Sequence, residues 1–351
     1  MSNALPKFKA AAMHVAPVFM DTKATVDKAC ALIGEAAGHG ARLIAFPETF
    51  IPAFPIWTAV RAPIENHDFF RQLMQAAIRI PGPEIRQIAQ AARAHRVFVS
   101  IGLNEGTAAS LGCVWNSNVL IGDDGGILNH HRKLVPTFYE KLVWAPGDGR
   151  GLKVVDTEVG RLGMLICGEN TNPLARYALM AQGEQVHVSS YPPIWPTRPP
   201  GETGAYDIES AIRIRAGAHS FEGKVFNIVA SAFLDGATRD IIANKDPAIA
   251  AILDATPRSI SIVLGPDGMP ITEPFRNEEG ILYAEIDVAR CVEPKQFHDV
   301  VGYYNRFDIF KLTIDRTRRE PAYFEDEHVA ASAVDGERAA AAAIGDLPAT
   351  R

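Results

Sequence analysis

The chain has 351 residues, 47% of them apolar, which suffices for a large buried core in one big domain or two ordinary ones. Charged residues make up 22% and the formal net charge is −6; this argues against nucleic acid as a partner, because phosphate binding wants a basic face. No apolar run reaches the roughly 18 residues of a membrane-spanning helix, and residues 1–10 hold no apolar core of signal-peptide length, so a cytoplasmic protein with no membrane partner is expected.

In chain order, residues 8–15 read as a strand. A helix over 22–38 follows, with Val26, Ala29, Cys30, Ile33 and Ala37 at helical spacing and Asp21 as N-cap. Residues 42–46 form a short apolar strand. Helices are expected over 65–80 and 84–95, the second opened by Gly82 and Pro83. Strands follow at 97–103, 115–121 and 126–131, the last two joined by the turn residues Asp123, Asp124 and Gly125. The second half repeats the rhythm: strands at 152–156 and 161–167, a helix over 172–182, a strand at 186–190, a helix over 207–222, and strands at 225–231, 259–264 and 281–286. Strand–helix units mixed with hairpins predict an α/β sandwich, not an all-parallel sheet. Residues 191–204 are a proline-rich loop. The acidic, alanine-rich stretch 319–351 reads as a tail, either mobile or used in subunit contacts.

The four cysteines, Cys30, Cys113, Cys167 and Cys291, lie far apart and form neither a zinc ribbon nor a redox dithiol pair. The histidines show no metal-binding spacing, so no metal is expected. The glycine-rich run 147–151 lacks the context of a nucleotide loop. Three reactive residues share one setting. Glu48, Lys133 and Cys167 each follow an apolar run, where a buried strand emerges at its C-terminal edge. Ligands bind outside such edges in α/β sheets. A thiol needs a proton acceptor, a carboxylate can act as base and then acid, and a lysine can hold developing negative charge. The helix expected from residue 172 offers its N-terminus to a thiolate. Read from residue type alone, the three fit equally a buried cysteine, a loop start and a solvated basic edge.

Residues 45–52 (Ala-Phe-Pro-Glu-Thr-Phe-Ile-Pro), 131–137 (His-Arg-Lys-Leu-Val-Pro-Thr) and 165–170 (Leu-Ile-Cys-Gly-Glu-Asn) resemble the three signature blocks of the nitrilase superfamily, in its order and at similar separations. Residues 139–144 with 147–149, and 173–179 with 183–188, resemble the nitrilase branch in particular; the likeness runs from residue 8 to about 310. The resemblance implies an αββα sandwich subunit able to build a four-layer dimer, one hydrolase domain over 1–318, and homodimers that assemble into larger homo-oligomers or spirals. It implies Cys167 as nucleophile, Glu48 as general base and later proton donor, Lys133 as stabiliser of the tetrahedral species, and Glu140 as an orienting acid. Gly168, Glu169 and Asn170 match the cysteine loop and are expected near substrate, with the Gly168 N–H facing developing charge. His219 and Glu222 are expected to be structural. Nitrilases commonly carry tryptophan after the nucleophile, where this chain has Gly168; Phe54, Trp57, Tyr191 and Trp195 are candidates to fill the space and bind substrate. The implied activity is hydrolysis of a small organic nitrile without a cofactor, and the aromatic loops lean toward an aryl or arylalkyl substrate. Two alternatives stay open: an amidase or carbamoylase with the same residues, and a binding protein on a retired hydrolase fold.

Overall fold

Along β1 (Lys7–His14), Phe8, Ala10 and Ala12 turn to one face and Ala11 and Met13 to the other, and all five are buried. A strand buried on both faces needs layers above and below it. The computed structural model, which describes residues 5–318 and residue 322, supplies both. β1 is followed by β2 (Ala41–Ala45), β3 (Phe98–Gly106), β4 (Val114–Ile121) and β5 (Ile127–Arg132), then β6 (Val155–Thr157), β7 (Gly160–Ile166), β8 (Val186–Tyr191), β9 (Phe226–Ser231), β10 (Ile262–Leu264) and β11 (Gly280–Asp287). One sheet has the order β11-β1-β2-β3-β4-β5 and the other β10-β9-β8-β7-β6. β1, β2 and β3 run parallel, as do β7, β8 and β9, while the outer pairings are antiparallel.

Alternate residues of both sheets meet in one core: Phe8, Leu43 and Phe98 from the first pack with Met164, Val186 and Phe226 from the second. The opposite face of the first sheet takes the helices Thr22–Gly38 and Pro83–His95 through Val26, Ile33, Ile85 and Ile88. The opposite face of the second takes Pro173–Met180 and Ile208–Gly223 through Leu179, Ile212 and Ala216. The layers are therefore α, β, β, α. Among the described residues no helix is long and apolar enough to cross a membrane. The tail expected over 319–351 lies outside the described residues, apart from Ala322.

Some elements differ from expectation. The helix expected over 65–80 is a 3-10 turn, Pro63–Glu65, then a helix, His67–Ala76, because the chain turns extended at Ala77 and Ile78 bridges to Glu105. Two unanticipated helices, Gly236–Ala243 and Pro247–Ala255, are capped by Asp235 and Asp246. Their Ile242 and Leu253 join Phe54, Trp57, Tyr139 and Trp144 in an apolar cluster outside the two-sheet core.

The turn bearing Glu48 lies flat on β3. Ile51 N–H donates to the Gly102 carbonyl and Asn104 N–H to the Ile51 carbonyl. A Cβ at Gly102 would lie 2.3 Å from the Pro47 carbonyl oxygen and 2.5 Å from the Thr49 nitrogen. Gly102 is therefore the contact that lets the turn close. Gly102→Ala is expected to destabilise the protein by about 2 kcal/mol and to lower activity more than stability predicts, by displacing Glu48. Denaturant unfolding alongside kcat/KM checks this; an alanine variant with wild-type turnover contradicts it.

Candidate active site

Glu48, Lys133 and Cys167 stand just beyond the C-terminal ends of β2, β5 and β7, and the two sheets bring them together. All three are buried. One carboxylate oxygen of Glu48, one of Glu140 and the Cys167 sulfur lie within 4.8 Å of one another. Lys133 Nζ donates to Glu48 Oε1 and to Glu140 Oε2, each at 2.7 Å. Glu140 Oε2 also accepts the Thr137 N–H at 2.6 Å within a capping box that holds the 3-10 turn Phe138–Leu142. The Trp144 ring lies 5.6 Å from the ammonium.

Sharp turns aim these side chains. Thr49, Phe138 and Cys167 have φ of 43°, 51° and 49°, left-handed values that non-glycine residues adopt at a cost of order 1 kcal/mol or more each. One lies beside the base, one between Lys133 and Glu140, and one at the thiol itself.

Burial raises the Glu48 pKa; Lys133 pulls it down, Glu140 pushes it up, and the result is about 7. Glu48 Oε1 is occupied by Lys133 and by Asn116 Nδ2 at 2.6 Å, while the buried Oε2 has no partner and is free to take a proton. Burial works against the Lys133 charge, but Glu140 and Glu48 outweigh it and hold its pKa above the usual lysine value. Burial also pushes the Cys167 thiol well above its ordinary value, with Glu48 adding to the rise and Lys133 opposing it. The expected helix-terminus contribution to a thiolate is absent. The 3-10 turn Cys167–Thr171 intervenes, and the helix starts only at Pro173 with Asn172 capping its own N–H groups. The resting site holds a neutral thiol beside a carboxylate whose pKa is about 7.

Glu169 and Asn170, expected near substrate, are buried with their polar atoms hydrogen-bonded within the protein. Glu169 accepts from Leu134 N–H at 2.5 Å, Ile166 N–H at 2.8 Å and His131 Nε2 at 2.9 Å, clamping the Lys133 loop to the Cys167 loop. Asn170 donates to the Cys167 carbonyl and accepts from Ser189. It also meets His187 Nε2 at 3.0 Å; His187 Nδ1 meets Glu184 at 2.6 Å, and Glu184 meets His219 at 2.7 Å. These buried groups run from the nucleophile loop to the helix Ile208–Gly223. His219 belongs to this chain, and Glu222 pairs with Arg176 at 2.7 Å. The same three, Glu184, His187 and His219, converge as metal ligands would, but their mutual hydrogen bonds account for the arrangement.

Of the expected aromatics, Trp57 is 1% exposed and stacks on Phe69 at 5.7 Å, which places it in supporting packing. Phe54 borders a gap of about 10 Å³ beside Glu48, roughly one water in size, and packs edge-on against Trp144. Tyr191 shares an apolar cluster with Cys167, with Trp195 and Tyr206 packed against it. Trp195 lies 5.1 Å from Tyr139 and lines a cavity of about 170 Å³ with Tyr206. A Cβ on Gly168 would lie 2.8 Å from Thr137 Oγ1, so the nucleophile loop rests directly on the loop that carries Glu140. Sequence reasoning missed Asn116, Glu184 and His187; their signal was a polar side chain in or beside a strand expected to be buried.

The carbon-nitrogen hydrolase family model matches residues 9–296. The chain belongs to the carbon-nitrogen hydrolase family. "Nitrilase 3" from an unknown prokaryotic organism is 34% identical over 93% of this chain and 96% of its own length. A nitrilase of Paraburkholderia phymatum is 36% identical over 88% of this chain and 86% of its own. The crystal structure of a carbon-nitrogen hydrolase from Helicobacter pylori G27 superposes with TM-score 0.65 at 20% identity, covering 87% of this chain and 97% of that one. The family's hydrolases thus share this sandwich.

Gly168→Ala is expected to lower kcat/KM about tenfold, and pairing it with Thr137→Ala to recover part of the loss, giving a coupling near ~1 kcal/mol. A purely additive double mutant contradicts the contact. The buried chain behind Asn170 predicts acid sensitivity. Burial lowers His219 to about 4, with charge on His187 adding to the drop. Burial raises Glu184, but the two histidines overturn it and hold the carboxylate at about 2. Both folded values lie below unfolded ones, so this stability is full above pH ~6.5 and is lost as pH falls, first through the histidine window to 4, then from ~4.5 to 2. Urea unfolding between pH 7 and 3 is expected to show both losses; Glu184→Ala is expected to cost about 3 kcal/mol at pH 7 and to flatten only the part below pH ~4.5, because the carboxylate raises His219 and its removal leaves the histidine window in place. Equal slopes in both proteins would contradict this.

Proposed function

We propose that this hydrolase is a nitrilase, converting an organic nitrile to a carboxylic acid and ammonia through a covalent bond to Cys167. The observation that carries the reading is the Glu48 carboxylate within 4.8 Å of a protonated thiol, one oxygen fixed by a lysine and the other, Oε2, buried and unpartnered. The curated relatives named as nitrilases supply the substrate class.

Glu48 takes the thiol proton as sulfur adds to the nitrile carbon, and the nitrogen is protonated to give a thioimidate. Water, deprotonated by Glu48, adds to the same carbon. Lys133 and the Gly168 N–H face the negative charge of the tetrahedral species; the first N–H groups of a helical turn have no partner within it. Protonated nitrogen leaves as ammonia, a thioester remains, and a second water releases the acid and restores the thiol. Glu140 holds Lys133 in place. No step calls for a cofactor. If the tetrahedral species expels sulfur instead, an amide forms.

We further infer a single domain over 1–318, a cytoplasmic site of action, supported by four unpaired cysteines, and a homodimer that builds larger homo-oligomers. Exposed Phe297, Phe307 and Phe310 provide apolar surface for such contacts. A fully active monomer in light scattering would contradict that assembly.

Ammonia release from aliphatic, aryl and arylalkyl nitriles, with matched amides alongside, tests the activity. Cys167→Ala is expected to lose at least ~10⁴-fold. Because Glu48 must be ionised to act as base, kcat/KM for nitriles is expected to fall below pH about 7 along a one-proton limb, and Glu48→Gln to be inactive across the range. Turnover of amides alone would make the protein an amidase.

A further inference from the structure

Two buried histidines share one buried carboxylate, and their outer nitrogens differ. His187 on β8 and His219 on the helix Ile208–Gly223 stack with ring centroids 3.9 Å apart. Glu184 Oε1 meets His187 Nδ1 at 2.6 Å, and Oε2 meets His219 Nε2 at 2.7 Å. Gly163, the β7 residue paired with His187, makes room for this carboxylate; a Cβ there would overlap Glu184 Oε1. The outer nitrogen of His219, Nδ1, is buried without a partner. The outer nitrogen of His187, Nε2, meets Asn170 Oδ1 at 3.0 Å.

The Asn170 amide has only one workable orientation. Its Nδ2 lies 3.1 Å from the Cys167 carbonyl oxygen and 3.4 Å from that of Leu165, two groups that only accept. Oδ1 therefore faces His187 as an acceptor, and Nε2 must bring a proton. Nδ1 faces a carboxylate and must bring one too. Burial raises the Glu184 pKa, but the two histidines hold it at about 2, so that side chain is ionised. A neutral imidazole has a single N–H. His219 needs only the one it gives to Glu184, and burial lowers its pKa to about 4. The neighbouring Arg176 is paired with Glu222 at 2.7 Å.

We propose that His187 is a buried imidazolium whose charge, relayed through the Asn170 amide to the Cys167–Gly168 peptide, strengthens the Gly168 N–H as a donor to the tetrahedral species. The donors run in one direction. His187 Nε2–H gives to Asn170 Oδ1, Asn170 Nδ2–H gives to the Cys167 carbonyl, and the N–H of that same peptide belongs to Gly168. An amide that accepts at oxygen donates more strongly at nitrogen, and such chains are cooperative. Glu184 lies on the opposite side of the ring, so the positive end of the ion pair faces the nucleophile loop. His187 is thus a positioning residue that acts only through Asn170. The inference rests on the proposed role of the Gly168 N–H but not on the nitrile, because the tetrahedral species of an amide needs the same donor.

Nitrogen NMR of the intact, isotope-labelled protein near neutral pH, with His187 assigned through its backbone, tests the charge. Protons are expected on both His187 nitrogens and on Nε2 alone of His219; a single proton on His187 overturns the proposal. The pair Glu184→Gln/His187→Gln then removes the ion pair while keeping a neutral N–H for Asn170. It is expected to lower kcat about tenfold with KM changed less than about twofold. A reversible aldehyde inhibitor, which forms a tetrahedral adduct on Cys167, should weaken by the same factor. Alkylation of Cys167 by iodoacetamide builds no such charge and should keep its wild-type rate. Alkylation that slows as much as turnover makes the chain purely structural, and unchanged turnover leaves the relay without effect; either overturns the proposal. If the pair does not fold, His187→Gln alone, in which Glu184 can take up a proton, carries the same comparison. Where amides but not nitriles are turned over, the same readouts apply, so the nitrilase reading can fail while this one stands.

Discussion

One ammonium between two buried carboxylates organises this molecule. Lys133 cannot be dehydrated alone, since the Born cost of an isolated ion in a dry interior is of order 20 kcal/mol, with several kcal/mol remaining after relaxation. Glu48 and Glu140 each hold it at 2.7 Å, and each arrives from a different turn. Glu140 is reached within seven residues of Lys133; Glu48 must come from across the sheet. The parallel placement of β2 and β3, and the loop after β5, meet that demand. Burial raises the Glu48 pKa, Lys133 opposes the rise and Glu140 adds to it, and the value settles at about 7. Burial beside a second carboxylate thus makes Glu48 a proton acceptor near neutral pH.

The backbone carries the corresponding strain. Three left-handed non-glycine residues stand beside the three arms of the site. Thr49 follows Glu48, Phe138 opens the 3-10 turn that carries Glu140, and Cys167 is the thiol itself. Such conformations persist only where surroundings over-determine them. Glu169 does this for two loops at once, tying Leu134 and His131 to Ile166 with one carboxylate. The buried chain from Asn170 to His219 anchors the nucleophile loop to a helix packed on the opposite face of the sheet. Glu169 and Asn170, on the nucleophile loop itself, supply these bonds.

The fold was legible where local and tertiary signals agree. The helix Thr22–Gly38 announced itself through Asp21, which accepts from the Ala24 N–H as an N-cap should. Glu48, Lys133 and Cys167 stood out because each ends an apolar run, and the blocks around them resemble one family. The helices Gly236–Ala243 and Pro247–Ala255 were illegible despite their aspartate caps, since a short stretch dominated by alanine and isoleucine shows no polar face to set a period. The helix after residue 65 was drawn too long because its pattern continues past Ala77, where pairing with β3 overrides propensity. Asn116 and Glu184 escaped notice because a polar residue within or beside a strand gives no hint of the partner it meets across the fold.

A buried thiol with a raised pKa looks unsuited to nucleophilic attack. The geometry resolves this. A preformed thiolate in so dry a pocket would have to be stabilised by fixed positive charge, and Lys133 is already committed to two carboxylates. Leaving the thiol neutral avoids that demand, and a base of pKa about 7 within 4.8 Å lets proton removal accompany carbon–sulfur bond formation. In the proposed reaction the negative charge then appears on substrate nitrogen or oxygen instead of on sulfur.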